Sequence, residues 1–474
     1  MTLGRRTLLA TLLASPAAAQ AQEAPAALRD LARRATIYLF PLYEMYRARW
    51  QATVDDGNPQ RQKLNRFRHM PGLADPRTRQ GTMPNGDTLY SSAWLDLSVE
   101  PLFLTVPPVG DLYYSYAFID LFTDNFACVS RRLHGGRPPP FMIVGPHWKG
   151  DAPSEVTLLR APANSAWLRG RILVDAPEEL DRARILQARV LLETPDMRNE
   201  RRILETRELM RQRTVAPPEP MADWPAPHRG DPYDLFEVGM RTLGEGPVPE
   251  RDHVFLEQLA PLRLRPGRKF DLRAFNDAER RAIRAGIEQG LSEIGGAGAR
   301  FGRTVDGWTF SERHIGNFGT DYLYRAAVAM SSLGAPEPAE TIAIICNADS
   351  EGQPLDGGRR YTLTFPANGW PPARAFWSLA MYEVTPQGPA FFVDNPIGRY
   401  AIGDRTRDLQ IAPDGTLTLL LQHERPVAGP GGEDRAANWL PAPKGRMRLV
   451  LRVYEPEESL IEGRYRLPAV RRVS

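Results

Sequence analysis

Two aspartates set among aromatic residues give the chain its first chemical signal. Between Tyr113 and Ala127, every second residue reads Tyr114, Tyr116, Phe118, Asp120, Phe122, Asp124 and Phe126. On a regular strand alternate side chains share a face, so rings and carboxylates would lie side by side. Unpaired carboxylates are costly to bury. They therefore call for a strand end, an arginine partner, a metal or a cleft. Rings beside acids suit a sugar or another polar compound with apolar faces. An arginine partner for Asp120 and a turn at Thr123-Asp124-Asn125 account for the same residues without a ligand.

Two further patterns carry chemistry. In Pro84-Asn85-Gly86-Asp87-Thr88 the Asn-Gly-Asp run makes a tight turn. Asp87 at its tip either caps the turn backbone or serves as general base or metal ligand. In Phe318-Gly319-Thr320-Asp321-Tyr322-Leu323-Tyr324-Arg325, Asp321 and Arg325 sit four apart at a helix start. That spacing fits an ordinary helix pair, and equally an Asp, Tyr and Arg facing a cleft on one turn. None of the seven histidines has metal-ligand spacing to another, and His69 is the acid/base choice among them.

Common catalytic signatures are missing: no GxSxG, HExxH, GxxxxGK[ST], EF-hand loop or GxGxxG follows from the sequence. Lysine supplies only four of the 60 basic residues (Lys63, Lys149, Lys269, Lys444), and the arginines are scattered. With a formal charge of +3 and no basic stripe, nucleic acid is not an expected partner. Cys128 and Cys346 stand in apolar strand-like stretches and read as buried free thiols; there is no Cys/His cluster for zinc. Residues 1–19 have the parts of an export signal: Arg5-Arg6, the apolar run Leu8 to Ala14, then Ala17-Ala18-Ala19. Arg5-Arg6-Thr7-Leu8-Leu9 also fits a twin-arginine signal. No later stretch is apolar for long enough to span a membrane, so a periplasmic or secreted location is expected.

The elements that must hold these residues fall into four stretches. Residues 28–78 open with apolar spacing at Leu28, Leu31, Ala35, Leu39, Leu42 and Tyr46, which predicts a helix to Trp50, kinked or broken at Pro41. Residues 79–176 hold short strands at Thr88–Leu95, Leu102–Val106, Leu112–Phe122, Phe141–Val144, Val156–Leu159 and Arg171–Val174. Residues 177–335 are helical, with Leu180–Arg213 strongly helix-favouring, an Asn276/Glu279 capping box, a Pro-rich linker over Val215–Pro232 and a last helix from Thr320 to Gly334. Residues 336–474 return to strands at Thr341–Cys346, Tyr361–Phe365, Ala375–Val384, Thr416–His423 and Arg446–Tyr454. In the last, Met447, Leu449, Leu451 and Val453 alternate with Arg446, Arg448 and Arg452, which predicts one wet face. The expected class is α+β, mainly β: two antiparallel β-sandwich, jelly-roll-like domains joined by a helical middle region.

The strings Pro84-Asn85-Gly86-Asp87-Thr88-Leu89-Tyr90-Ser91-Ser92-Ala93-Trp94-Leu95-Asp96-Leu97 and Gly145-Pro146-His147-Trp148-Lys149-Gly150 resemble the bacterial domain-of-unknown-function family 1254. Ala375-Phe376-Trp377-Ser378, Asn395-Pro396-Ile397-Gly398-Arg399-Tyr400 and Asn438-Trp439-Leu440-Pro441-Ala442-Pro443 resemble its usual partner, family 1214. The resemblance implies export and two β-sandwich modules bridged by helices. It supplies no reaction. Gly86 stands where that family usually has arginine.

The reading of function that follows is an exported hydrolase or lyase acting on a saccharide-like or other polar extracellular compound. Asp87, Asp120, Asp124 and His69 would be acid/base or metal-binding groups, with Arg325 and Arg399 neutralising substrate charge. Asn85, Tyr116, Asn125, Tyr322 and Trp439 would bind the substrate. No cofactor is evident, and a divalent metal is compatible with the aspartates. The alternative is a non-catalytic envelope protein that binds glycan or a protein partner, and a homo-oligomer is compatible with either.

Overall fold

The structure, a computed structural model, describes residues 16–206, 225–228, 230–298, 300–429 and 434–473. Residues 1–15 of the expected export signal, 207–213 of the helix-favouring stretch Leu180–Arg213, and 215–224 and 229 of the Pro-rich linker lie outside these.

In the first β-rich region, β1 (Arg68–His69), β2 (Thr88–Asp96), β3 (Leu102–Thr105), β4 (Tyr114–Ile119), β5 (Asn125–Ser130), β6 (Phe141–Val144), β7 (Thr157–Arg160), β8 (Ser165–Leu173) and β9 (Leu191–Glu193) form two sheets. Their orders are β1-β2-β8-β4-β5 and β7-β6-β3-β9. Leu89, Ala93, Tyr114, Phe118 and Leu168 from one sheet share a core with Leu102, Leu104, Phe141 and Ile143 from the other. β8 begins six residues before its sequence-predicted start and pairs with β2 from Thr88↔Leu173 to Asp96↔Ser165. β9 interrupts the helix expected over Leu180–Arg213. Leu191 to Glu193 pair with β3 instead, because Leu192 is buried in the same core.

The second β-rich region holds β10 (Arg303–Val305), β11 (Trp308–Phe310), β12 (Thr341–Cys346), β13 (Arg360–Phe365), β14 (Ala373–Val384), β15 (Ala390–Phe391), β16 (Ala401–Gly403), β17 (Leu417–Gln422), β18 (Trp439–Pro441), β19 (Met447–Pro456) and β20 (Arg471–Val473). One sheet runs β10-β11-β12-β19-β14-β15 with β16 on β14; the other runs β18-β17-β13-β20. Trp308, Ile344, Trp377, Leu449 and Leu451 meet Tyr361, Leu363, Phe365 and Leu419 in one core. The sheets are not purely antiparallel as expected: β6 and β7 pair parallel, as do β17 and β18. In each case the stretch between partners, 145–156 and 423–438, is long enough for a crossover.

Helices α1 (Pro16–Thr53), α2 (Asp234–Leu243), α3 (Asp277–Ala297) and α4 (Tyr322–Ser332) pack together around Tyr38, Leu39, Phe236, Ile283, Ile287 and Ala326. α1 runs unbroken through Pro41. The missing N–H there is offset by burial of the surrounding turns, from Tyr38 to Phe40 and again at Leu42, Met45 and Tyr46. Asn276 and Glu279 form the predicted capping box at the start of α3. Asp321 caps α4 through the Tyr324 N–H, and Gly334 beyond its end takes a positive φ of 74°.

Among the described residues no helix is long and apolar enough to cross a membrane. Cys128 and Cys346 are free thiols; Cys346 is buried and Cys128 half-buried.

Candidate anion site between the two β regions

Strand pairing sets Tyr90 of β2 directly opposite Arg171 of β8. Because side chains alternate, Arg169 and Arg171 share a face while Gly170 turns to the other. There the Tyr116 ring lies so close that a Cβ on Gly170 would come within 2.4 Å of it. Arg452 and Tyr454 reach the same place from β19, again two residues apart on one face. These five side chains, with Asn85 and Thr88, line a cavity of about 1060 Å³. Its remaining wall mixes apolar residues, among them Met70, Leu73, Met83, Phe310, Met330 and Val450, with polar ones that include Arg303 and Arg313.

Asn85 is the hub of the polar end. Its Oδ1 accepts the Asp87 N–H at 2.9 Å, which fixes the orientation of the amide. Its two Nδ2 hydrogens are then shared among the hydroxyls of Tyr454 (2.7 Å), Tyr90 (3.1 Å) and Thr88 (3.2 Å). Arg452 donates to the Tyr382 hydroxyl at 2.8 Å and the Met83 carbonyl at 2.7 Å. Arg169 donates to the carbonyls of Leu333 and Gly334, closing the end of α4.

Arg171 is the exception. It is only 6 % exposed, and among the described residues its side chain makes one long hydrogen bond, from Nε to the Tyr90 hydroxyl at 3.4 Å. Among the described residues none of these three arginines pairs with a carboxylate. The acids that line the cavity are already engaged: Glu44 with Arg47, Glu312 with the Gly302 N–H and Glu462 with Arg464. A buried guanidinium lacking an acid is costly, and an anion in the cavity is the group that would satisfy it.

The same charges act on Tyr90. Burial alone would push its phenol up. The guanidinium groups of Arg171 and Arg169, with hydrogen bonds from Arg171 and Asn85, outweigh burial and bring it down to about 7. Burial likewise works against the Arg171 cation, yet the facing phenols, Tyr90 foremost, hold its pKa above the ordinary arginine value.

The walls of this cavity come from both of two recognised sequence modules. Residues 64–194 match DUF1254, a protein family of unknown function, and residues 340–458 match DUF1214, another of unknown function. The chain belongs to the two-module DUF1254–DUF1214 family. Tyr90, Arg169 and Arg171 come from the first module and Arg452 and Tyr454 from the second, so the polar end exists only where the modules meet. The crystal structure of the VPA0106 protein from Vibrio parahaemolyticus shares the fold, with a TM-score of 0.71 and 22 % identity over 94 % of this chain and 100 % of that one. A structure of an uncharacterised Burkholderia cenocepacia protein aligns over 96 % of this chain and 97 % of that one, with a TM-score of 0.42 and 11 % identity. No curated protein matches the chain.

The residues singled out from sequence divide into separate places. Asn85 lines the cavity, and Asp87 lies behind it, 6 % exposed. Asp87 accepts from Ser378 at 2.6 Å and from Arg405 at 3.0 Å, which ties the two modules together.

Asp120, Asp124, Asn125, Tyr322 and Arg325 form a second cluster. β4 ends at Ile119, so the alternation of rings and acids breaks into a turn there. Asp120 Oδ1 accepts the N–H groups of Phe122 and Asp124. Thr123, between them, holds a φ of 71°, unusual for a β-branched residue. Asp124 accepts from Arg251 at 2.7 Å and the Phe318 N–H at 2.8 Å. Asn125 donates to the carbonyls of Gly316 and Ala335, and Tyr322 donates to Asp252. Arg325 is wholly buried, with guanidinium nitrogens that lack hydrogen bonds, between the rings of Phe122, Tyr322 and Tyr38 at 5.0, 5.1 and 5.5 Å. The three aspartates therefore do not converge on one cleft.

The others stand apart. His69 contacts the Ser91 hydroxyl through Nδ1 at 2.8 Å, and burial lowers its pKa. Tyr116 is buried in the first core. Arg399 donates to the carbonyls of Ala436, Ala437 and Trp439, and the buried Trp439 donates to the Gln422 carbonyl. Both hold loops of the second module together. Among the described residues no group of three or more His, Cys, Asp or Glu could hold a metal ion.

Sequence reasoning passed over Tyr90, Arg169, Arg171, Arg452 and Tyr454. The available signal was arginine at every second position within otherwise apolar strands. The strand Arg446–Tyr454 was expected to carry a wet face. β19 instead lies inside the sheet between β12 and β14, and the first module covers Arg452, which is 9 % exposed.

Proposed function

We propose that the protein binds an anionic small molecule whose charged end meets Arg171 and whose apolar body fills the cavity between the two modules. The observation that carries this reading is the burial of Arg171 beside an apolar cavity without a carboxylate partner. A volume of about 1060 Å³ suits a ligand of drug size or somewhat larger. If the site is catalytic, lyase-type chemistry at the anionic end fits it better than hydrolysis. Arginines would hold developing negative charge, whereas each lining carboxylate is already engaged and poorly placed to activate water. Glycan binding is less well supported, because apolar residues such as Met70, Leu73, Met83, Phe310 and Val450 make up much of the wall beside Arg171. Arg5-Arg6-Thr7-Leu8-Leu9 and the apolar run after it support export, which would make the ligand a compound met outside the cytosol. The core shared by paired sheets supports reading each module as a β-sandwich.

The test is a pair of probes that differ in charge. Octanoate should bind and release heat in calorimetry, and octanol should bind at least tenfold more weakly. Arg171→Gln should remove the difference while leaving the far-ultraviolet dichroism unchanged. Equal affinity for both probes in the wild type would sink the anion reading.

A further inference from the structure

The Tyr90 hydroxyl oxygen receives two N–H donors, from Asn85 Nδ2 at 3.1 Å and Arg171 Nε at 3.4 Å. Among the described residues no acceptor is placed to take its own proton. The guanidinium carbons of Arg171 and Arg169 stand 5.3 and 5.7 Å from the Tyr90 ring centroid. A phenol whose oxygen accepts twice and donates to nothing, with one guanidinium at that oxygen and two over its ring, is arranged as a phenolate is.

Every element packed against it agrees. β8 contributes the two arginines, and the Asn85 turn contributes an amide donor. β19 contributes Arg452 and Tyr454, with the Tyr454 hydroxyl already receiving Asn85. β14 contributes Tyr382, which accepts from Arg452. The nearby carboxylate, Asp87, is tied to Arg405 and Ser378 and lies 3.5 Å from the Tyr454 hydroxyl, and the buried phenol of Tyr113 faces Arg171. Gln187 holds the Tyr90 carbonyl rather than its hydroxyl.

Resting on the anion-binding reading above, we propose that Tyr90 is the proton-accepting group of the cavity: its phenolate serves as counter-ion to Arg171 while the site is empty, and an arriving anion drives a proton onto it. The proton comes from solution, so one ligand anion and one proton enter together and the net charge of the cavity is unchanged. A phenol ionising near 7 makes the exchange available at neutral pH. The coupling has a fixed sign. A second negative charge at Arg171 favours the neutral phenol, and so raises the pH at which Tyr90 ionises.

The experiment reads tyrosinate absorbance against pH, then octanoate affinity against pH. Without ligand, one tyrosine equivalent should ionise close to neutrality, well below the rest. Tyr90→Phe should abolish that step. Arg171→Gln keeps the tyrosine and should move the step upward by a pH unit or more, which guards against a folding defect in the first variant. Octanoate added above the midpoint should reduce the tyrosinate signal. Its affinity should then fall by up to about tenfold for each further pH unit. If no tyrosine ionises below about pH 9, close to the ordinary tyrosine range, the proposal is overturned. It is overturned too if octanoate binds with an affinity that ignores pH across the step. A neutral-pH tyrosinate step in a protein that never binds octanoate would instead overturn the anion-binding reading, and with it the coupled uptake.

Discussion

Asp120 shows how much a single position can depend on what covers it. Burial, then the charge of Asp124, pushes its carboxyl up to about 7, against hydrogen bonds from Asp124 and Phe122 and the charge of Arg325. A folded-state pKa above the unfolded value favours the protonated native form. Its stabilising contribution is therefore full at acid pH and is lost as pH rises through about 7. Urea midpoints should consequently decline between about pH 4 and pH 7 and level off above that. Asp120→Asn retains an oxygen for the Phe122 and Asp124 N–H groups and should flatten that decline; an unchanged slope would assign the effect elsewhere. The sequence made Asp120 and Asp124 conspicuous because acids among rings are rare. Arg171 escaped notice because arginine is common throughout this chain, and only its surroundings set it apart.

Among the elements, α1 and α3 pack tightly through small residues. A Cβ on Gly286 would lie 2.3 Å from the Arg29 carbonyl and 2.7 Å from the Ala32 Cβ, and Gly290 meets Thr36 almost as tightly. Gly295, on the same helix, has nothing within 4 Å. Alanine favours a helix interior over glycine by about 1 kcal/mol. Gly295→Ala should thus stabilise by up to about that amount, whereas Gly286→Ala should destabilise by about 1–3 kcal/mol through overpacking. Denaturant unfolding of both variants measures the contrast. A stabilised Gly286→Ala would mean the helices can separate freely. Most strands, the capping box and the last helix were legible from sequence, since alternation, a cap pair and a terminal glycine are local signals. β9 and the early start of β8 were not. Leu191 to Glu193 become a strand only because β3 offers an edge to them.

At the scale of the whole molecule, Asp87 joins the modules. It links the turn before β2 to Ser378 on β14 and to Arg405, and Arg131 adds a second tie to Glu455. Asp87→Ala would leave a half-buried guanidinium without its acid and should cost about 3 kcal/mol. That loss should appear in thermal unfolding even if octanoate affinity, measured while the protein is folded, is little changed. Wild-type stability in Asp87→Ala would show that other contacts hold the modules together. The two modules, most of their strands and helices, and the family were readable in the chain alone, as were Asn85 and Asp87 beside the cavity. Periodicity, caps and long motif strings act over neighbouring residues and survive in one dimension. Only the tertiary structure decided which of those residues meet. The cavity draws Tyr90 and Arg171 from one module and Arg452 and Tyr454 from the other, positions more than 280 residues apart in the chain. Charge, burial and proton affinity depend on distances in space, and no local pattern in the sequence encodes those distances.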